Sequence, residues 1–389
     1  MRVSVLGGGL VGRAVARDLA AGGEFRVRVC DSSKTALKGF SSDAGIETMH
    51  TDLSREGAVA SAVAGADLVV GAVPGFMGFQ TVRRVIEAGK DIVDISFFPE
   101  DPLGLDGTAR KMGVRCLVDM GIAPGCSNLI CGRARETFRD ITEFSFMVGG
   151  LPEERNLPWE YQAPFSPSDV LEEYTRPARL VRDGKVLTLP PLTERELVDF
   201  PGVGTLEAFL TDGLRTLLYG GDIPKMVEKT LRYPGYVDKV LLLKETGFLD
   251  SAEVETAGGR VVPLELTSRL LFEAWEQKPG DRDLTVMRVK VVGREGGGVP
   301  VTRVWNLLDR YDGKSGTTSM ARTTGFTCTA GVRLLAGGKW RETGVHPPEN
   351  VGRLADCYDF VMDQLDDRGV HFEVKDETAD EDASLNPQK

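Results

Sequence analysis

The first twelve residues, MRVSVLGGGLVG from Met1 to Gly12, place a short strand of β-branched residues directly before a Gly-x-Gly-x-x-Gly turn. A helical pattern follows at once, from Arg13 to Ala20. In such a turn the first glycine allows a sharp bend, the second lets the backbone approach a pyrophosphate, and the third lets helix and strand pack closely. The phosphates then lie on N–H groups at the positive end of the helix dipole. We therefore predict a dinucleotide-binding site at the start of the chain. Its predicted residues are Gly7, Gly9, Leu10, Val11 and Gly12.

A carboxylate at the end of the second predicted strand indicates which dinucleotide is bound. The strand 26–31 ends at Asp31, 19 residues past Gly12, close to the spacing of about 20 expected for the residue that binds the ribose hydroxyl. A carboxylate accepts hydrogen bonds from the ribose diol of NAD and repels the additional phosphate of NADP. NAD is therefore favoured over NADP. The Ser-Ser-Lys segment 32–34 could instead form a phosphate pocket if Asp31 turns away, although its serines also fit a helix cap.

The composition is that of an ordinary soluble globular protein. The 389 residues are enough for two domains, and 41% are hydrophobic and 27% charged. A formal net charge of −11 gives no electrostatic basis for binding nucleic acid or an anionic membrane. No apolar run approaches the length of a membrane span, and the first strand begins at Arg2. We therefore expect a cytoplasmic protein whose partners include neither nucleic acid nor membrane.

Cysteine and histidine usage limits the available chemistry. The six cysteines form no Cys-x-x-Cys pair and lie scattered in apolar segments, which is typical of reduced thiols in a core. The three histidines are not spaced as metal ligands, so no metal site is expected. Acid–base chemistry should therefore rest on carboxylates, lysine, tyrosine or water.

The fold class follows from the alternation of strands and helices over residues 1–125. After the first two strands, strand patterns occur at 46–51, 66–74, 91–96 and 114–119, with helical patterns at 55–64, 79–88 and 105–112 between them. This alternation predicts an α/β chain with an N-terminal Rossmann domain, a doubly wound parallel sheet of six strands. Ligands bind such a sheet outside the carboxyl ends of its strands.

A second, α+β domain is predicted for residues 126–315. Apolar and polar residues alternate over 141–149, 284–292 and 299–307 as in strands, and helical patterns occur at 168–173, 206–218, 236–246 and 263–276. Residues 316–372 should return to the first domain, with a small-residue helix at 316–335, a loop at 344–348 and a final helix at 354–368. The acidic tail 373–389 is predicted to be disordered.

Position in the sheet selects the residues expected near the nicotinamide ring. They follow the fourth and fifth strands, and are Val73, Pro74, Ser96 and Phe97. The sixth strand ends in a second glycine-rich turn that begins at Asp119. Asp119 could bind a substrate ammonium or act as a base; alternatively Asp119, Ser127 or Asn128 caps the following helix.

Five ordered motifs carry a resemblance to a known family. They are the glycine-rich start with Asp31, the Asp-x-Gly-x-x-Pro-Gly turn at 119–125, GTLEAF at 204–209, TLRYPG at 230–235 and SMARTTG at 319–325. From Met1 to about Val370 the chain resembles the saccharopine dehydrogenase-like family, and within it most closely the L-lysine 6-dehydrogenase branch. The resemblance implies an NAD-linked oxidation of L-lysine at the ε-carbon, giving aminoadipate semialdehyde, which closes to a piperideine carboxylate, and ammonia. It also implies a homodimer formed through the second domain.

Two other functions remain open. One is a saccharopine or carboxynorspermidine reductase or dehydrogenase of the same fold using NAD(P). The saccharopine branch typically has Gly-Leu-Asp-Pro-Gly at 121–125, where this chain has Ala123 in place of the acid, which weakens that reading. The other is a dinucleotide-binding sensor without catalysis.

The oxidation of an amine requires a base, and this requirement indicates candidate residues. Hydride leaves an amine carbon readily only when the nitrogen is deprotonated, and a lysine ammonium has a pKa of about 10.4. A carboxylate in a desolvated pocket can accept that proton. The candidates, in order of preference, are Asp119, Glu207 and Asp94.

The substrate's α-carboxylate calls for a guanidinium group. Arg232 and Arg322 lie in the family motifs, and Arg215 is a further candidate. Tyr233 could polarise the imine or simply pack in the core. Glu207 follows Leu206 in an apolar stretch, which favours burial, although it could also be an N-terminal glutamate of a helix.

Overall fold

The computed structural model describes residues 1–164, 166–278 and 280–377, which form two compact units. The first unit comprises Met1–Ile141, Gly293–Val299 and Met320–His371. The second comprises Thr142–Val292, Pro300–Ser319 and the described residues from Phe372 to Glu377.

The strands of the described chain are β1 (Arg2–Leu6), β2 (Arg26–Asp31), β3 (Ile46–His50), β4 (Leu68–Gly71), β5 (Asp91–Asp94), β6 (Arg115–Leu117), β7 (Phe138–Pro152), β8 (Ala178–Arg182), β9 (Lys185–Leu189), β10 (Glu196–Phe200), β11 (Gly204–Leu210), β12 (Met226–Arg232), β13 (Val254–Thr256), β14 (Gly259–Val261), β15 (Asp283–Glu295), β16 (Pro300–Arg310), β17 (Gly344–His346) and β18 (Phe372–Glu377).

The α-helices are α1 (Leu10–Ala21), α2 (Lys34–Lys38), α3 (Ala58–Val63), α4 (Gly75–Glu87), α5 (Asp106–Met112), α6 (Cys126–Thr137), α7 (Pro167–Thr175), α8 (Tyr236–Glu245), α9 (Pro263–Ala274), α10 (Ser319–Ala336), α11 (Pro348–Arg353) and α12 (Ala355–Asp366). Short 3-10 helices cover Pro102–Leu105 and Arg215–Tyr219. None of the helices in the described ranges is long and apolar enough to cross a membrane.

The first unit contains a parallel sheet in the order β17-β6-β5-β4-β1-β2-β3. This order confirms the predicted doubly wound fold, in which the strand sequence reverses beside β1. Its central strands are continuous apolar runs, such as the fully buried Leu68–Val70, because helices cover both faces of the sheet. The carboxyl ends of β1, β2, β4 and β5 therefore lie along one edge.

The sheet has seven strands where six were predicted. Residues 344–348 were expected to form a loop, but Gly344–His346 forms the edge strand β17, parallel to β6, and α11 begins at Pro348. A strand of three residues is too short to show a periodic pattern. Only its pairing with β6 identifies it.

The first unit also extends past the predicted boundary at residue 125, because α6 belongs to it. A Cβ on Gly132 of α6 would lie 2.1 Å from the carbonyl oxygen of Glu349 in α11, and a Cβ on Gly352 would lie 2.1 Å from that of Leu129. The two helices thus cross in backbone contact, which only glycine permits. The small-residue helix α10 joins the same unit, where Gly325 packs against Ala14 of α1.

The second unit contains a mixed sheet in the order β10-β11-β12-β7-β15-β16-β18, with β8 and β9 attached beside β12. Strands β12 and β7 are parallel, whereas β11 and β12 are antiparallel. The helix predicted over 206–218 is wrong, because this stretch forms β11 and a 3-10 helix. Residues 206–210 are all buried and, apart from Glu207, apolar, and a short apolar stretch does not distinguish a strand from a helix.

The predicted disorder of 373–389 is wrong over its first residues. Strand β18 pairs antiparallel with β16, from Phe372 opposite Leu307 to Glu377 opposite Thr302. The strand is polar because it lies at a sheet edge, so its order comes from backbone hydrogen bonds and not from an apolar pattern. Residues 378–389 lie outside the described residues.

All six cysteines are buried, as predicted for core residues, and no two of them form a disulfide in the structure. Among the residues that the structure covers, no group of three or more histidine, cysteine, aspartate or glutamate side chains is placed to hold a metal ion.

Candidate functional site

The glycine-rich turn between β1 and α1 has the geometry of a dinucleotide cradle. Gly7 has φ +110°, and a Cβ there would lie 2.2 Å from the carbonyl oxygen of Ala72. A Cβ on Gly12 would lie 2.1 Å from the carbonyl oxygen of Gly7. A Cβ on Gly9 would meet no described atom within 4 Å, and α1 begins at Leu10 with no side-chain cap. Two glycines thus close the turn, and the third leaves the helix N-terminus open to a pyrophosphate.

Asp31 lies at the end of β2, next to this cradle. Its carboxylate accepts hydrogen bonds from the backbone N–H groups of Gly8 at 2.7 Å and Ser33 at 2.6 Å. The Ser33 hydroxyl oxygen accepts the N–H of Ala36 and caps α2, which confirms the cap interpretation of that serine. The backbone therefore fixes the carboxylate at the position where a ribose diol would bind.

The residues after β4 and β5 lie along the same edge of the sheet. Pro74 precedes the first turn of α4, and Val73 is buried. Asp94 is fully buried, and its carboxylate accepts hydrogen bonds from the N–H of Ser96 at 2.9 Å and from its hydroxyl at 3.1 Å. Phe97 is half-buried. Asp94 thus fixes the Ser96 turn.

Asp119 follows β6 and is buried in the left-handed conformation, with φ +55°. Its carbonyl oxygen accepts the N–H of Gly121 at 2.9 Å. The helix α6 is capped by other residues: Gly125 is the N-cap, and the Asn128 side-chain oxygen accepts its N–H at 3.4 Å. Asp119 is therefore not the cap of α6, and its unusual backbone conformation is of the kind found at functional sites.

In the second unit, Arg232 is the centre of a buried cluster at the end of β12. One terminal nitrogen donates to the carboxylate of Glu173 and to the hydroxyl of Tyr174, each at 3.2 Å. The guanidinium carbon lies 4.6 Å from the ring centre of Tyr161 and 5.9 Å from that of Tyr236. The cluster is therefore a buried ion pair inside a group of tyrosines.

Two polar atoms of this cluster have no hydrogen bond. Neither Nε of Arg232 nor the hydroxyl of Tyr161 forms one of standard geometry with the described residues, although both atoms are buried. Burial raises the pKa of Glu173 to about 7, against the opposing charge of Arg232. Buried polar atoms are nearly always satisfied in proteins, so this site has hydrogen-bonding capacity for a ligand.

Glu207 lies directly opposite Arg232 in the pairing of β11 with β12, so the two side chains share one face of the sheet. Its carboxylate accepts hydrogen bonds from Nε of Arg195 at 2.6 Å and from the N–H of Gly235 at 3.2 Å. Because Glu207 is in a strand, the alternative of a helix N-terminal glutamate is wrong.

Glu228 also faces this side of the sheet, and sequence reasoning missed it. The Thr211 hydroxyl donates to its two carboxylate oxygens at 2.9 and 2.7 Å, and the N–H of Gly213 donates at 3.0 Å. Burial raises its pKa to about 8, and the nearby negative charge of Glu173 adds to the effect. Recognising β12 as a strand would have found it, since residues 228, 230 and 232 then share a face.

The remaining candidates are Tyr233, Arg322 and Arg215. The Tyr233 hydroxyl donates to the carbonyl of Pro152 at 2.9 Å, which favours the packing interpretation. Arg322 belongs to the first unit, where it donates to the carbonyl of Arg368 at 3.1 Å. Arg215 is buried at the start of a 3-10 helix with φ +53°.

Comparisons with known families agree with this architecture. A family model described as the saccharopine dehydrogenase NADP binding domain matches residues 3–117, and one described as the saccharopine dehydrogenase C-terminal domain matches residues 121–370. Together they span both units.

Similar proteins carry related names. A saccharopine dehydrogenase (NADP+, L-glutamate-forming) of Schizosaccharomyces pombe is 22% identical over 456 residues, covering 95% of this chain and 98% of that protein. A carboxyaminopropylagmatine dehydrogenase of Synechocystis is 22% identical, covering 90% of this chain and 92% of that protein.

The fold is also found in a solved structure. That of apo saccharopine dehydrogenase (L-Glu forming) from Saccharomyces cerevisiae superposes with a TM-score of 0.79 at 19% identity, covering 97% of this chain and all of that chain. The resemblance read from the motifs is confirmed: the chain belongs to the saccharopine dehydrogenase family of amino-acid oxidoreductases.

Proposed function

We propose that the protein is an NAD-dependent dehydrogenase that oxidises L-lysine at the ε-carbon. The observation that carries this proposal is the buried Arg232–Glu173 pair, whose guanidinium retains an unsatisfied donor at Nε. A guanidinium group in a dry, tyrosine-lined site is suited to the carboxylate of an amino acid. The family membership supplies the reaction class, a hydride transfer to a nicotinamide dinucleotide.

The proposed reaction converts lysine and water into aminoadipate semialdehyde and ammonia, and two electrons leave the ε-carbon as hydride. NAD+, when bound, supplies the hydride acceptor. Asp119 is our first candidate for the group that takes the proton from the ε-ammonium, because it is buried in a constrained conformation at the carboxyl end of β6. Glu207 and Asp94 are the second and third candidates; their oxygens accept hydrogen bonds from Arg195 and Ser96.

NAD is the proposed cofactor because of Asp31. Its carboxylate is fixed by the N–H groups of Gly8 and Ser33 at the end of β2, where it would meet the 2′-phosphate of NADP with like charge. The similar saccharopine dehydrogenases are named for NADP+, so use of NAD would distinguish this chain from them.

A substrate panel tests the proposal. L-lysine, L-ornithine, L-saccharopine and a diamine are each offered with NAD+ or NADP+, and the absorbance of the reduced nicotinamide is followed. We expect turnover with lysine and NAD+, at least ten times faster than with the other pairs. Lysine that stays inert beside an active saccharopine or diamine would overturn the proposal and favour the saccharopine or carboxynorspermidine type of activity.

A further inference from the structure

A buried carboxylate lies on the same face of β12 as Arg232. Glu228, Thr230 and Arg232 are alternate residues of one strand, so their side chains leave the sheet on the same side. Glu228 and Arg232 are each only 3% exposed. The Thr211 hydroxyl contacts both the Glu228 carboxylate and the Thr230 hydroxyl, the latter at 2.7 Å.

Glu228 is a buried carboxylate that has no positively charged partner among the described residues. It accepts hydrogen bonds from Thr211 and Gly213, which are neutral, and forms no ion pair with a lysine or arginine of the described chain. By contrast, other carboxylates of this unit pair with a guanidinium group: Glu173 with Arg232, Asp212 with Arg179, and Glu207 with Arg195. Burying a carboxylate without a cation costs free energy, and a bound cation would offset that cost.

The Glu228 carboxylate and the Arg232 guanidinium share Glu173 as a charged neighbour. Glu173 is hydrogen-bonded to Arg232, and its charge also acts on Glu228. The same cluster holds the unsatisfied Nε of Arg232 and the unsatisfied hydroxyl of Tyr161. The cluster therefore offers a hydrogen-bond donor for an anion and an unpaired carboxylate for a cation. An α-amino acid carries both charges on adjacent atoms.

We propose that Glu228 binds the α-ammonium group of the substrate whose α-carboxylate is held by Arg232. This assignment rests on the proposed function and defines its substrate class: an α-amino acid whose side chain carries the amine to be oxidised, as opposed to a simple amine or an amino carboxylate without an α-amino group. Glu173 remains the partner of Arg232, and Thr211 positions the Glu228 carboxylate. The distal amine extends away from this head group.

Paired substrates test the assignment with the complete enzyme and NAD+. L-lysine and 6-aminohexanoate share the chain, the carboxylate and the ε-amine, and only lysine has the α-amine. Glu228→Gln should lower kcat/KM for lysine about 10- to 100-fold, mainly through KM, and change that for 6-aminohexanoate less than about threefold. Glu228→Asp should recover part of the lysine activity. Equal losses for both substrates, or no loss for lysine, would contradict the assignment.

The matched control is Glu255→Gln, which removes an exposed carboxylate from β13 of the same unit and should leave both constants unchanged. A binding measurement covers the case in which Glu228→Gln does not fold. With wild-type enzyme and NAD+, calorimetry should show norleucine, which has the α-amino group, binding at least tenfold tighter than hexanoate, which lacks it.

Equal affinities for norleucine and hexanoate would overturn the Glu228 assignment even if lysine is oxidised. Conversely, lysine that is not oxidised, together with a clear preference for norleucine, would contradict the proposed reaction and support the α-ammonium site. The two failures are therefore distinguishable.

Discussion

At the residue scale, single charged side chains are proposed to recognise the ribose of the cofactor and the charged groups of the substrate. Asp31 presents a carboxylate where the ribose would bind, and its orientation is fixed by two backbone N–H groups. Arg232 and Glu228 present opposite charges on one face of β12. In each case burial or backbone contacts fix the side chain before any ligand arrives, which lowers the ordering cost of binding.

The Asp31→Ser variant should bind NAD+ about tenfold more weakly and lose much of its discrimination against NADP+, because both the acceptor of the ribose diol and the repelling charge are removed. The measurement is kcat/KM for each cofactor at fixed lysine. Asp67→Ser is the control: this carboxylate accepts the N–H of Arg2 at the amino end of the sheet, and the cofactor ratio should not change. An unchanged ratio in Asp31→Ser would remove the argument for NAD.

The Arg232→Lys variant should raise KM for lysine at least tenfold with a smaller change in kcat, because an ammonium keeps the charge opposite Glu173 but loses the planar guanidinium. Steady-state kinetics at saturating NAD+ provides the measurement. Arg282→Lys, at the surface pair with Glu153, should behave as wild type. An unaltered KM would indicate that Arg215 or Arg322, and not Arg232, binds the substrate carboxylate.

The stability of the folded protein should fall as pH rises from about 5 to about 8. Burial raises the pKa of Glu173 to about 7 and of Glu228 to about 8, above the value of about 4.3 in an unfolded chain. The folded state then binds more protons than the unfolded state, so its stability is greatest at low pH within this window and is lost as these groups ionise.

Glu228→Gln removes one of these titrations, so its melting temperature relative to wild type should rise between pH 5 and pH 8. The charges that act on Glu228 are those of Glu173 and Asp212, and both remain in the variant. Thermal unfolding at several pH values without ligand measures the difference. A difference that is constant with pH would show that Glu228 keeps its ordinary pKa.

At the scale of elements, different glycines in the turn from β1 into α1 serve folding and ligand binding. Gly12 is required for packing, since a Cβ would lie 2.1 Å from the carbonyl oxygen of Gly7. Gly9 has φ −67° and open space at its Cβ position within the described chain. We therefore expect a side chain at position 9 to weaken ligand binding without destabilising the fold.

Gly9→Ala should leave the melting temperature within about 2 °C of wild type and raise KM for NAD+ at least tenfold, because the added methyl group occupies the pyrophosphate side of the turn. Gly12→Ala should lower the melting temperature by several degrees, since helix and strand must separate. Thermal unfolding and cofactor kinetics of both variants provide the comparison. Equal effects of the two substitutions would contradict this division of roles.

On the scale of the whole molecule, the chain passes repeatedly between the two units. The first unit is built from three segments that end at residues 141, 299 and 371, and the described residues from Phe372 to Glu377 belong to the second. The last described strand, β18, closes the edge of the second sheet on β16, with an ion pair between Arg303 and Asp376 at 2.6 Å. Sequence-distant segments therefore complete each unit.

A chain that ends at His371 should unfold at a lower temperature than one that ends at Glu377, because it lacks the backbone hydrogen bonds of β18 and the Arg303–Asp376 pair. Calorimetry of the two truncated proteins measures the difference. Identical melting temperatures would show that β18 contributes nothing to the stability of the second sheet.

The sequence by itself determined the first sheet and its cradle. The Gly-x-Gly-x-x-Gly spacing, the position of Asp31 and the continuous apolar strands are local patterns whose physical causes act within about 30 residues. The family motifs added the reaction class. The same local reasoning failed at β11, where an apolar stretch fits a strand and a helix equally, and at β17 and β18, which are short or polar and pair with strands distant in sequence.

Only the tertiary structure brought Glu173 of α7 and Tyr161 to Arg232. These residues are separated by up to 71 positions in the chain, and no local periodicity relates them. Their significance also depends on burial, since a carboxylate in water needs no positive partner and one in a dry core does. Charge balance in the interior is a property of the folded molecule, and it is that balance which identifies the proposed substrate site.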